Sequence, residues 1–136
     1  MREVSHVRFQ STVRNARGTY TGVFGLVNGL AREGRLSAAQ ERFRRLNNDW
    51  YNAAYLDPSD VDPSVYDREV NPEAAAWFKS SARHLIERVD GYLEILAAHG
   101  VGCRMVRAVD PGRVVYEDAD QVVVVPYGAC GAHGER

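Results

Sequence analysis

The segment Gln121-Val122-Val123-Val124-Val125, closed by Pro126, restricts the fold more than any other. Four consecutive β-branched side chains without a charge read as a strand that is apolar on both faces. Such a strand needs hydrogen-bonded neighbours and a covering layer. Proline ends it, because it has no N–H to give to a ladder.

Partners for that strand are found at both ends of the chain. In Val4–Val13, Val7, Phe9, Ser11 and Val13 alternate with Arg8, Gln10, Thr12 and Arg14, the period-two pattern of a half-buried strand. Near the C-terminus, Cys103–Val109 and Val114–Tyr116 read as strands. Asp110-Pro111-Gly112-Arg113 turns between them, and an acidic turn at 117–120 leads into the valine strand.

The covering layer is helical. Val23, Val27 and Leu30 mark a helix over Thr21–Glu33, stopped by Gly34. Gly22, Gly25 and Gly29 inside it imply close approach of a neighbouring backbone. Ser37-Ala38-Ala39-Gln40 is a capping box opening a second helix to about Tyr55, with Ala39, Phe43, Leu46, Trp50 and Ala53 as its apolar stripe. Asn71-Pro72 reads as an N-cap with proline at the first position of a third helix reaching Ala98. Its expected buried stripe is Ala75, Phe78, Ala82, Leu85, Val89, Tyr92 and Leu96. The acidic connection 56–71 contains Asp-Pro-Ser twice, each suited to start a short helical turn.

The expected architecture is α+β. A small antiparallel sheet, made of the N-terminal strand and a C-terminal three-strand meander, packs against one long helix and a helical hairpin. Residues 1–126 are expected to form a single domain and residues 127–136 a flexible tail. A chain of 136 residues with 45% hydrophobic content suits one core. No apolar run is long enough to span a bilayer. Two cysteines and no secretion signal point to a soluble protein of the cytoplasm.

Charge is unevenly distributed. Residues 1–48 hold nine Arg and three Glu, whereas residues 49–136 hold eight Lys and Arg and fifteen Asp and Glu. That pattern fits a basic binding face, and it fits two halves that neutralise each other.

Four constellations could carry chemistry. In Arg14-Asn15-Ala16-Arg17-Gly18-Thr19-Tyr20-Thr21, a strand leads into a helix. Arg14, Arg17, Thr19 and Thr21 there could bind an anion with help from helix N-terminal amides. The Gly-Lys-Ser/Thr ending of a P-loop is absent, and a Thr19 or Thr21 helix cap is the plainer alternative. The second is the stretch from Asn47 to Arg68, where Asp49, Tyr51, Tyr55 and Asp57 are candidate catalytic groups. Asn47, Asn48, Asn52, Asp60, Asp62, Tyr66 and Asp67 lie along the same stretch.

The third is a zinc set of His99, Cys103, Cys130 and His133. A meander would separate its two halves by about the 23 Å length of a seven-residue strand. No metal or other cofactor is therefore expected. The fourth is a Cys–His pair such as Cys103 with His84, which no local signature supports.

Two functions follow as expectations. One is a cytoplasmic binding or regulatory module that meets an anionic small molecule or protein partner through its Arg-rich N-terminal face. The other is a small enzyme acting on a small anionic substrate, phosphorylated substrates included, in a pocket between Asn47–Arg68 and the sheet. Nucleic acid as partner lacks both interleaved stacking aromatics and a helix-turn-helix signature.

Overall fold

A computed structural model describes residues 5–128 of the chain. The alternating segment forms β1 (His6–Ser11), with Val7, Phe9 and Ser11 inward. Helices α1 (Val23–Arg32) and α2 (Ala38–Ala54) follow. The Asp-Pro-Ser pairs start α3 (Pro58–Val61) and a 3-10 turn (Pro63–Tyr66), with Asp57 and Asp62 as N-caps. Next come β2 (Ala75–Lys79), α4 (Arg83–Glu87) and α5 (Asp90–Ala98). Then β3 (Cys103–Ala108), β4 (Arg113–Glu117) and β5 (Gln121–Val125) complete the order. The protein is α+β, with a five-stranded antiparallel sheet in the order β3-β1-β2-β5-β4.

Two expectations are corrected. The single helix over 72–98 is a strand followed by two short helices. Asn71 does not cap a helix. Its Nδ2 turns back to the Ser64 and Val65 carbonyls, at 3.0 and 3.2 Å. Glu73 then takes a left-handed φ of 62°, which no helix start accommodates. The following Ala-Ala-Trp-Phe-Lys is captured by β5, pairing Ala75 with Val124 and Phe78 with Gln121. Tertiary pairing overrides the helix propensity of the alanines. Six of the seven stripe residues are nonetheless buried, Phe78, Ala82, Leu85, Val89, Tyr92 and Leu96, while Ala75 is half-buried.

The three-strand meander is also absent. β4 and β5 form a hairpin, but β3 lies at the opposite edge beside β1, and β2 separates β1 from β5. β5 is buried at all five positions and needs a ladder on each side, which β2 and β4 supply.

Contacts divide the chain into two compact units. One comprises the segment ending at Arg8, Tyr55–Arg83 and the segment from Arg107 onward. Its core is Val7, Val65, Phe78 and the four valines of β5. Buried Gln121 donates Nε2 to the Leu56 carbonyl at 2.9 Å, and Lys79 pairs with Glu117. At its far end, Tyr127 Oη donates to Asp110 Oδ1 at 2.8 Å. The remainder of the expected tail, residues 129–136, lies outside the described residues.

The other unit comprises Phe9–Ala54 and His84–Val106. Val23, Val27, Leu30, Leu85, Val89, Ile95 and Leu96 are buried in it. Phe24 packs edge-on against Tyr51 and Tyr92, with ring centroids 4.8 and 5.0 Å away. The capping box forms as expected: Gln40 N donates to Ser37 Oγ, and Ser37 N to Gln40 Oε1. Gly34 and Gly100 end α1 and α5 with φ of 70° and 69°, a conformation that favours glycine.

The buried face of α2 differs from its apolar stripe. Leu46 is 66% exposed and Ala39 and Ala53 are exposed, whereas Asn47 and Tyr51 are buried. Asn47 is satisfied there by the Phe43 carbonyl and Arg88, and Tyr51 by the Leu85 carbonyl, and a polar network from distant segments lies alongside. Tyr92 Oη donates to Asn48 Oδ1 at 2.7 Å, and Asn48 Nδ2 and Arg44 Nη1 both donate to Asn28 Oδ1 at 3.1 Å. Of the three glycines expected to admit a neighbouring backbone, Gly22 pairs with Gln10 of β1 in an isolated antiparallel bridge, whereas Gly25 and Gly29 meet only side chains. A Cβ at Gly25 would meet Thr21 Cγ2, and one at Gly29 the Arg32 guanidinium.

Candidate functional site

The loop from β1 to α1 is organised by Asn15. Its Oδ1 accepts from the backbone N–H groups of Arg17 and Thr19, at 2.9 and 3.1 Å, and from Thr19 Oγ1. Its Nδ2 donates to Thr21 Oγ1 at 3.0 Å. The carboxamide thus occupies the position where an anion would collect loop amides. Arg14 donates Nη1 to the Gly18 carbonyl at 2.6 Å, and its guanidinium lies 5.0 Å from the Tyr20 ring centroid. Gly18 has a φ of 83°, so glycine closes the turn. Neither Thr19 nor Thr21 caps α1, whose N-cap is Gly22 without a side-chain bond. The four expected ligand residues are therefore neighbours, with Arg17 exposed.

The arginines further along this unit differ in how they are held. Glu41 takes Nε and Nη2 of Arg44 and Nε of Arg45, each at 2.8 Å. Those hydrogen bonds, Arg44 first, hold its carboxyl at about 2, well below its ordinary 4.5. Arg35 pairs with Glu33. Arg17, Arg32 and Arg42 are exposed and have no carboxylate partner among the described residues. The unit holds nine Arg against six Asp and Glu.

The candidate catalytic groups divide between the units. Asp49 and Tyr51 belong to the arginine-rich one. Asp49 is exposed, and Tyr51 is buried with its hydroxyl donated to the Leu85 carbonyl. Tyr55 and Asp57 belong to the other. Asp57 Oδ1 accepts from Ser59 N and Oγ, at 2.9 and 2.7 Å, as the cap of α3. Tyr55 packs near Phe78, with centroids 6.3 Å apart. Burial, then electrostatic interaction with Tyr66, Asp57 and Asp118, pushes its phenol up to about 12. Tyr66, although 40% exposed as a residue, is likewise pushed up to about 12, by partial desolvation of its phenol and then Asp57. Phenols so raised stay protonated near neutrality, where they donate hydrogen bonds rather than accept protons.

His99 Nε2 lies 3.0 Å from Gln40 Oε1, and Cys103 opens β3. No group of three or more His, Cys, Asp or Glu able to hold a metal occurs among the described residues; Cys130 and His133 lie outside them. The expected separation of the zinc ligands assumed a meander that the sheet order replaces. No helix among the described residues is long and apolar enough to cross a membrane.

One arrangement is not foreseen from the sequence. Arg88 stacks on Trp50, its guanidinium carbon 4.1 Å from the ring centroid, and donates Nε to Asn47 Oδ1 at 3.0 Å. His84 approaches the same indole edge-on, with centroids 6.4 Å apart. Arg88 and Asn47 are 41 residues apart, so no local spacing announces their pairing.

Comparisons with protein-family models, with curated proteins and with solved structures find no match.

Proposed function

We propose that this chain is a binding or regulatory module that engages an anionic partner through the exposed arginines of its Phe9–Ala54 and His84–Val106 unit. The observation that carries the reading is the state of Arg17, Arg32 and Arg42, exposed without a carboxylate partner among the described residues. Guanidinium groups left unpaired on an arginine-rich unit attract carboxylates and phosphates, and their planar fork suits both. Because Asn15 already occupies the loop amides, the anion meets side chains here: Arg17, and the donors of Arg14 that Gly18 leaves unused. A cytoplasmic setting is part of the proposal and rests on the low cysteine count.

The enzyme reading draws less support. Tyr51 and Asp57 are engaged in structural hydrogen bonds, and the phenols of Tyr55 and Tyr66 are far from the range useful for proton transfer at neutral pH. Thermal melts with inorganic tripolyphosphate, at ionic strength held constant with sodium chloride, test the proposal. The wild type should gain melting temperature through binding to the native state. An Arg17→Ala/Arg32→Ala/Arg42→Ala variant should lose most of that gain while keeping its ligand-free stability within about 1 kcal/mol, as exposed positions do. An undiminished gain in the variant would overturn the proposal.

A further inference from the structure

Arg88 lies in the turn between α4 and α5, and two contacts fix its guanidinium, one of them to a side chain that is itself anchored. The face stacks on Trp50 at 4.1 Å, Nε is bonded to Asn47 Oδ1, and Asn47 is itself buried and anchored by Nδ2 on the Phe43 carbonyl at 2.8 Å. Arg88 is nevertheless an exposed residue. A guanidinium has five N–H donors, and Nε uses one. Nothing among the described residues engages the other four, which form the Nη1/Nη2 edge.

We propose that this edge is a docking point for a single oxyanion, a carboxylate or phosphate group, with Trp50 as its platform and His84 at its border. The edge matches two oxygens of either group in a bidentate pair. A free surface arginine loses rotamer freedom when it binds. Arg88 has lost it already to Trp50 and Asn47, so a ligand meets a pre-organised donor pair. A purely structural role would require only the bond to Asn47, which a lysine ammonium can also make. This site shares no residue with Arg17, Arg32 and Arg42 and stands or falls separately from them.

The test is a titration of isotopically labelled protein with inorganic phosphate and, separately, with acetate, at ionic strength fixed by sodium chloride. The Arg88 Nε–H and Trp50 indole N–H signals should move together along a saturating curve with at least one of the two anions. The anion giving the tighter curve identifies the group. Arg88→Lys should weaken the Trp50 response about tenfold, the worth of one charge-assisted hydrogen bond. The Arg17→Ala/Arg32→Ala/Arg42→Ala variant should keep the full response. Equal affinity in Arg88→Lys overturns the site, and so does a response no larger than chloride produces. Should Arg88→Lys fail to fold, the wild-type titration decides. Saturation confined to Arg88 and Trp50 supports the site, whereas shifts spread evenly over the arginines overturn it.

Discussion

Tyr51 Oη donates to the Leu85 carbonyl at 2.7 Å, joining α2 to α4 across 34 residues with both side chains buried. A buried carbonyl stripped of a donor has no water to replace it. Tyr51→Phe should therefore cost about 1–3 kcal/mol, measured by urea unfolding. A cost below about 0.5 kcal/mol would mean that the carbonyl finds another partner.

Leu85 itself has no exposed surface. Leu85→Ala removes buried methyl groups and leaves a cavity, so a loss of about 2–5 kcal/mol is expected. The same urea series checks it, with the denaturant slope unchanged if the native state stays compact.

Glu73 holds a φ of 62° just before β2. The left-handed region costs a residue with a Cβ about 1–2 kcal/mol, and glycine escapes that cost at some loss of chain entropy. Glu73→Gly should stabilise the protein by up to about 1 kcal/mol, read as a rise in melting temperature. Destabilisation would show that the Glu73 side chain contributes more than its backbone costs.

Glu41 gives a pH signature. Its carboxyl titrates at about 2 in the folded chain, held down by Arg44 and Arg45, against an ordinary 4.5. A depressed carboxyl contributes stability that is fully present above the unfolded value and is lost as pH falls through the folded one. The contribution thus fades between about 4.5 and about 2. Glu41→Gln should flatten the acid limb of stability in that window and leave its slope near neutrality unchanged. An identical acid limb in both proteins would rule the interaction out.

Period-two alternation located β1, and the uncharged valines located β5. The Ser37 and Gln40 pair marked the start of α2, because each of these signals is local and physical. The segment 72–98 misled because Asn71-Pro72 followed by alanines satisfies the local rules of a helix start. What decides it is non-local: β5 needs a second neighbour, and Asn71 turns back to Ser64 and Val65. The α2 stripe failed for the same reason. Asn47 is buried because Arg88 and the Phe43 carbonyl satisfy it, and Leu46 is left outside. Of the loop at the entrance to α1, the sequence conveyed the clustering of Arg14, Arg17, Thr19 and Thr21 but not that Asn15 fills its centre.

The valines of β5 have a consequence for the chain before it is folded. With β2 and β4 in place, the strand has no open edge. Before they pair, Gln121–Val125 is an uncharged β-branched segment of the kind that stacks with copies of itself. Its flanks oppose that outcome. Asp118 and Asp120 place negative charge at one end, and Pro126 denies a hydrogen bond at the other. Since β2 arrives from more than 40 residues upstream, local pairing with β4 shields the strand first on one side only. The interval before β2 docks is when this protein is most exposed to self-association, and substitutions that weaken β2 should show first as aggregation during refolding rather than as a lower melting temperature.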